Sequence, residues 1–340
     1  MKKIALIGTR GLPASYGAFE QTIDQISFFY KDKLFYVCCE FSLKKKYYDR
    51  KNVIRFFFPR LDGMGVILFQ LYSVFYSLIH GCKTFFFFGY SVSFIFPLLK
   101  MLRINVICNV DGIEWRRSKW KNRFINKYLR FSEKMCVISG INLIFDSKVI
   151  ARYYQMNHKI KGKLIYYGSE IIKSKSNFQE NDYLTVVMRM EEENNILLIV
   201  KAFLRSTCNY NLYLIGPNTK FFNKYVLPLV NKNKNKIKFL GGIYDRDKLI
   251  NYRLNSIVYI HGHSVGGTNP TLVEACKIGR PIISYNSFFN KEILGDKAKY
   301  FKNETELSEI LSQDITTLKK PPRLGRAFDW DYIANQYFEL

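Results

Sequence analysis

Ser256-Ile-Val-Tyr-Ile260 runs straight into His261-Gly-His-Ser-Val-Gly-Gly-Thr-Asn-Pro270 and then into Thr271-Leu-Val-Glu-Ala-Cys-Lys-Ile-Gly279. The first segment is a short apolar run bounded by turn residues, which reads as a buried strand. The last has helical spacing, with Asn269 suited to the N-cap and Pro270 to the first helical position. Gly266 and Gly267 between them let the backbone take positive φ and approach a ligand closely. Free N–H groups and the positive end of a helix dipole suit a phosphate. The same residues also make an ordinary strand-to-helix turn. Glu274, one turn into the helix, has a carboxylate suited to ribose hydroxyls, or to a solvated cap.

The strand–loop–helix unit repeats outward along all 340 residues. Apolar strands are expected at 3–7, 34–39, 53–58, 84–88, 104–109 and 143–145, with helical patterns near 17–31 and 122–139. Residues 168–183 lose periodicity and become polar, as a linker does. A second series follows at 184–188, 211–215, 236–239, 256–260 and 281–284. Alternation of this kind predicts an α/β protein made of two tandem Rossmann-like domains with parallel sheets. The boundaries are 1–167, a linker at 168–183, 184–318, and a C-terminal tail at 319–340 packing back on the first domain. Ligands of open α/β sheets lie at the carboxyl ends of the strands, so two such domains are expected to face each other across a cleft.

Three more loops leave strand ends. Residues 8–17 (GTRGLPASYG) lack the G-x-G-x-x-G spacing of a dinucleotide site. In 109–117 (NVDGIEWRR), Asp111 suits a general base or hydroxyl acceptor, or an Asp-Gly turn; Glu114 and Trp115 add a carboxylate and an aromatic plane suited to sugar hydroxyls. In 188–195 (MRMEEENN), Arg189 suits a bidentate fork on phosphate or a surface pair with residues 191–193. The four His are dispersed without metal-ligand spacing, and no G-x-S-x-G elbow supports a Ser-His-Asp triad.

Composition bounds the rest. Hydrophobic residues make 48% of the chain and charged ones 24%, which excludes disorder, collagen and coiled coil. The net charge of +24 calls for a polyanion: phosphorylated ligands, an anionic membrane or nucleic acid. Nucleic-acid binding needs exposed aromatics among the basic residues, whereas the Phe runs at 56–58 and 85–88 read as strands. The seven cysteines are scattered and form no C-x-x-C, in keeping with a reducing cytosol. The apolar run after the N-terminal lysines is too short for a signal peptide. Residues 63–82 carry no charge; Gln70, Ser73, Ser77 and His80 within them favour a buried helix over a transmembrane one. A helix dipping one face into the bilayer interface is compatible with that reading.

Taken in order, GTRGLPASYGAFE (8–20), NVDGIEWRRSKW (109–120), RMEEENN (189–195) and GHSVGGTNPTLVEA (262–275) resemble the bacterial rhamnosyltransferase branch of the family-4 GT-B glycosyltransferases. The likeness extends to the closing FDWDYIANQY (328–337). It implies a retaining, metal-independent glycosyltransferase (a hexosyltransferase) without a cofactor. The C-terminal domain would hold a nucleotide sugar, and the N-terminal domain the acceptor. By this resemblance the diphosphate lies on residues 267–269 (Gly267, Thr268, Asn269) with Arg189 neutralising it, and Glu274 binds the ribose. Asp111 sits beside the acceptor hydroxyl, and Gly11 and Gly17 shape the N-terminal side of the site.

Three departures stand out: Gly266 replaces the first glutamate of the family's paired motif, Asn194 replaces a lysine, and Ala18 a glycine. The second leaves Arg10 as a substitute cation. The first two match the rhamnosyltransferase branch and imply a 6-deoxy donor such as dTDP-L-rhamnose. The implied acceptor is a polyprenyl-diphosphate-linked saccharide for cell-surface polysaccharide, used at the cytoplasmic face of the membrane, with no nucleic-acid partner. Basic residues including Lys44, Lys45, Lys46, Arg116, Arg117 and Lys119 are the expected contacts to the anionic surface.

Overall fold

Strands form where the apolar runs are. The computed structural model describes residues 1–14, 17–61, 63–116, 122–169 and 182–339. The chain divides into two units, Met1–Gly168 with Arg326–Leu340, and Ser169–Gly325. Of the expected linker, residues 170–181 lie outside the described residues, as do Arg117 and Lys119.

The first unit runs β1 (Lys3–Ile7), α1 (Ala18–Phe29), β2 (Leu34–Glu40), β3 (Val53–Phe58), α2 (Met64–Ile79), β4 (Thr84–Phe88), α3 (Phe96–Met101), β5 (Asn105–Asn109), α4 (Arg123–Ile138), β6 (Asn142–Phe145), α5 (Lys148–His158) and β7 (Lys163–Leu164). The sheet order is β3-β2-β1-β4-β5-β6-β7, all parallel. Residues 85–88 are buried, because a parallel sheet is covered on both faces. The phenylalanine run is thus core, not a stacking platform. Right-handed crossovers put α2 to α5 on one face of this sheet and α1 on the other.

In the second unit β8 (Tyr183–Val187), α6 (Ile196–Arg205), β9 (Asn211–Ile215), α7 (Leu227–Lys232), β10 (Ile237–Gly241), α8 (Arg246–Leu254), β11 (Val258–His261), α9 (Pro270–Ile278), β12 (Ile282–Tyr285), α10 (Phe288–Leu294), β13 (Lys299–Phe301) and α11 (Glu304–Leu311) follow one another. The order is β10-β9-β8-β11-β12-β13, again all parallel. The last helix, α12 (Trp330–Phe338), packs on α1 in the first unit. Its Phe338 ring lies 3.8 Å from that of Tyr30, and Trp330 is buried against Gly168.

Two strands escaped the sequence reading. β7 and β13 are edge strands of two and three residues, too short to show a period. The uncharged run at 63–82 forms α2, which buries Phe69, Gln70, Ser73, Val74 and Ser77 and exposes Met64, Leu68, Phe75 and Ile79. Among the described residues no helix is long and apolar enough to cross a membrane. All seven cysteines are buried free thiols; burial pushes Cys39 up to about 11 and Cys82 and Cys276 up to about 12.

One core residue is a histidine. His261 ends β11 and is buried. The Tyr259 hydroxyl donates to the Val187 carbonyl at 3.2 Å and stands 3.0 Å from His261 Nδ1, so it accepts the Nδ1–H. Burial holds this imidazole well below its ordinary value of 6.5, and the neighbouring His263 and Arg253 push the same way. The folded state therefore refuses a proton that the unfolded chain binds below pH 6.5, and stability falls with pH from there downward.

Two outcomes follow from these contacts. Trp330→Ala leaves a void under α12 and should destabilise the first unit by about 3–5 kcal/mol, read from the fluorescence of the remaining tryptophans in denaturant. Hydrogen-exchange protection of β8 and β11 should weaken by up to about 1.4 kcal/mol per pH unit below about pH 6.5, a slope that His261→Gln abolishes.

Candidate active site

In an open parallel sheet the crevice for a ligand lies where the strand order reverses, outside the carboxyl ends of the two strands involved. In the second unit the chain moves outward from β8 to β9 and β10, then returns to lay β11 on the other side of β8. The loops leaving β8 and β11, residues 188–195 and 262–269, therefore flank the reversal.

Side chains tie these two loops together. Asn194 Nδ2 donates to the Arg189 carbonyl at 2.7 Å, and its Oδ1 lies 2.6 Å from His263 Nδ1. Asn195 Nδ2 donates to the Gly262 carbonyl at 2.8 Å, and the Ser264 N–H and hydroxyl both reach the Glu193 carbonyl, at 3.2 and 2.8 Å. Asn194 is buried with both ends of its amide engaged. Its amide therefore orders the two loops against each other. Arg189 is 42% exposed, and its Nη2 is 3.6 Å from Oε1 of Glu193, whose side chain is largely buried, so the guanidinium lies at the surface over an i,i+4 partner.

Beyond β11 the loop enters α9. Asn269 Oδ1 accepts the Thr271 N–H at 2.9 Å, so the expected N-cap forms with Pro270 behind it. Gly266 takes φ +94°, whereas Gly267 has no positive φ, a correction to the paired expectation. Gly267 and Thr268 are buried. Among the described residues, none accepts a hydrogen bond from the N–H groups of Gly266 and Gly267. The result is a concentration of donors at a helix N-terminus with Arg189 on the companion loop, a cradle for an anion. Glu274 is engaged: its Oε2 lies 3.1 Å from Arg253 Nη1, and Arg253 is itself buried. Its side chain is one third exposed, so a ligand hydroxyl would meet a carboxylate already oriented by a cation.

The first unit reverses between β1 and β4. Gly11 has φ +102°, and a Cβ there would lie 2.5 Å from Cys39 Sγ, so only glycine fits the turn. Gly17 is the N-cap of α1. Arg10 does not stand alone: its Nη1 is 3.7 Å from Glu40 Oε2, and its N–H donates to the buried Glu20 Oε1 at 2.7 Å.

After β5, Asp111 adopts φ +61°, and its N–H donates to Asn109 Oδ1 at 3.1 Å. The Asn109 amide in turn donates to the Tyr337 hydroxyl at 2.9 Å, so α12 orients the Asp111 loop. A non-glycine residue in the left-handed region is a mark of a constrained site. Asp111, Asp146 and Glu20 all raise the pKa of the buried Tyr167 phenol, after burial itself. The sequence reading missed Tyr337, Asn109, Asp146 and Tyr167, because only the fold brings them together. The Glu114 N–H donates to the Tyr90 hydroxyl at 3.1 Å. Trp115 Nε1 donates to the buried Glu133 at 2.9 Å, and Arg130 covers its ring at 4.1 Å. The indole is thus anchored and one face is taken. Among the described residues there is no cluster of three or more metal-ligating side chains.

Residues 1–170 match the family described as "Domain of unknown function (DUF1972)", and residues 168–329 match "Glycosyl transferases group 1". No curated protein matches the chain. Among solved structures, Anabaena Alr3699/HepE in complex with UDP aligns with TM-score 0.74 at 16% identity, covering 100% of this chain and 99% of that one. The sucrose-phosphate synthase of Thermosynechococcus elongatus aligns with TM-score 0.75 at 14% identity, covering 100% and 98%. WaaG, a glycosyltransferase involved in lipopolysaccharide biosynthesis, gives 0.71 at 12%, covering 99% and 95%. These likenesses show the fold, two Rossmann-like halves of the GT-B type. The chain belongs to the DUF1972 family, whose domain is joined here to a segment that matches the group 1 glycosyl transferases, in a fold of the GT-B type.

Proposed function

We propose that the protein transfers L-rhamnose from dTDP-L-rhamnose, with retention, to a polyprenyl-diphosphate-linked saccharide in the assembly of a cell-surface polysaccharide. The observation that carries this reading is the anion cradle at the β8–β11 reversal, formed by the α9 N-terminus with Arg189 on the opposite loop. A nucleotide sugar as donor is supported by HepE, whose structures hold UDP and UDP-glucose. Rhamnose is supported by the resemblance of the four loops and by Gly266, which leaves no carboxylate at that position.

Departure of the nucleoside diphosphate is the demanding step, since negative charge grows on its β-phosphate. Pre-aligned N–H groups and a guanidinium stabilise that charge without moving. The proton of the incoming hydroxyl goes to the departing phosphate or to Asp111, whose loop is held by Asn109 and Tyr337. Glu274, steadied by Arg253, is assigned to the ribose. A UDP-sugar is the second reading, favoured by the HepE ligands.

The lipid-linked acceptor places the protein on the inner face of the cytoplasmic membrane. On α4, Phe124, Phe131 and Ile138 are exposed at intervals of seven residues, with Arg123, Lys127 and Lys134 exposed on the same helix. On α2, Leu68, Phe75 and Ile79 are likewise exposed. Both helices cover the same face of the first sheet. Apolar residues flanked by cations suit an anionic bilayer surface.

Release of nucleoside diphosphate with a panel of dTDP- and UDP-sugars should be fastest with dTDP-L-rhamnose; turnover with neither class would overturn the assignment. Arg189→Ala should lower kcat by about 100-fold or more while leaving the melting temperature nearly unchanged, because the residue is exposed. Phe124→Ser/Phe131→Ser should cut co-flotation with phosphatidylglycerol vesicles at high salt, and unchanged flotation would sink the membrane reading.

A further inference from the structure

We propose that Tyr167 reads the acceptor, its buried phenol donating a hydrogen bond to a hydroxyl of the acceptor sugar beside Asp111. This inference rests on the proposed transferase reading, with the first unit taking the acceptor.

The fold carries the phenol to the middle of the sheet. Tyr167 follows the edge strand β7, two residues beyond Ile165, whose N–H still pairs with the Phe145 carbonyl at 2.8 Å. Its buried ring reaches inward from there. The ring centroid lies 6.2 Å from that of Phe19 in α1, and Phe19 lies 5.3 Å from Phe88, the last residue of β4. The sheet reverses between β1 and β4, so the phenol stands where a ligand crevice is expected, not at the edge.

What the phenol lacks is an acceptor. Its oxygen is buried and has no hydrogen-bond partner among the described residues. Leaving a buried hydroxyl unpaired is costly, and a ligand group removes the cost. Burial first, then Asp111, Asp146, Tyr337 and Glu20, hold the phenol well above its ordinary value of 10, so it keeps its hydrogen. The carboxylates among these come from three strand ends: Glu20 in the helix after β1, Asp111 after β5 and Asp146 after β6.

These surroundings select the ligand group. The phenol needs an oxygen with a lone pair. A phosphate offers one, but brings negative charge into the field of three carboxylates. An ammonium suits the carboxylates and has no lone pair for the phenol. A neutral hydroxyl meets both demands: it accepts from Tyr167 and donates to a carboxylate. A carboxylate that already has one partner keeps lone pairs for another. Asp111 is the carboxylate assigned to the acceptor, and Tyr337 steadies its loop through Asn109.

Tyr167→Phe removes one oxygen and keeps the ring. On the full chain, transfer from dTDP-L-rhamnose and from UDP-glucose is measured to octyl β-D-glucopyranoside and octyl β-D-galactopyranoside. Donor hydrolysis, in which water is the acceptor, is read in parallel. The variant should raise the KM of the octyl glycoside about threefold to tenfold, the loss of one hydrogen bond, slow hydrolysis by the same factor, and leave donor KM unchanged. Its melting temperature should rise by about 2–4 °C, because an unpaired buried hydroxyl is gone. A fall in melting temperature would mean that the phenol is satisfied inside the protein, by a side chain or a trapped water, and would overturn the proposal. Unchanged acceptor KM and hydrolysis rate would overturn it too. Wild-type protein that releases no nucleoside diphosphate from either donor would overturn the transferase reading itself, a different failure.

Discussion

Parallel pairing of β8 with β11 is the constraint on which the second unit depends. A parallel neighbour cannot be reached by a hairpin, so the chain must return over the sheet through a helix. Having gone one way through β9 and β10, it must leave β8 and come back beside it to extend the other edge. The two loops at that seam lead into helices, α6 and α9, that depart toward opposite faces of the sheet. Asn194 then ties the two loops together. With its amide fixed to the Arg189 backbone and to His263, neither loop can shift without breaking a part-buried hydrogen bond.

The first unit solves the same geometric problem with different chemistry. The groups at its strand ends are tied through carboxylates: Glu20 on α1 accepts the Arg10 N–H, Asp111 sits in a left-handed turn, and the buried Asp146 follows β6.

Much of this was legible in the residues. The strand cores at 3–7, 84–88 and 211–215 were evident because a doubly covered strand must be continuously apolar. The Asn269–Pro270 start of α9 was legible because capping is local chemistry. What escaped was either too short, as in β7 and β13, or long-range in sequence. Trp115 reads as a sugar platform until Glu133 and Arg130, fifteen or so residues on, are seen to hold it. His263 reads as an isolated histidine because its partner, Asn194, is 69 residues away. The uncharged run at 63–82 was ambiguous for a physical reason: α2 buries polar side chains against the sheet and turns Leu68, Phe75 and Ile79 outward.

The attachment of α12 to the first unit has a consequence for biosynthesis. The Tyr337 hydroxyl closes the chain of hydrogen bonds that holds Asp111, and Trp330 fills the space beside Gly168. Residues 326–340 leave the ribosome only after the whole of the second unit. The half that is translated first is therefore the half that is finished last. Its exposed surface around α1 must wait, uncovered, while the inserted unit folds as a continuous segment. A chain stalled before residue 326 would carry a complete second unit, α9 and its N-terminal loop included, and a first unit whose Asp111 loop still lacks its Tyr337 tether.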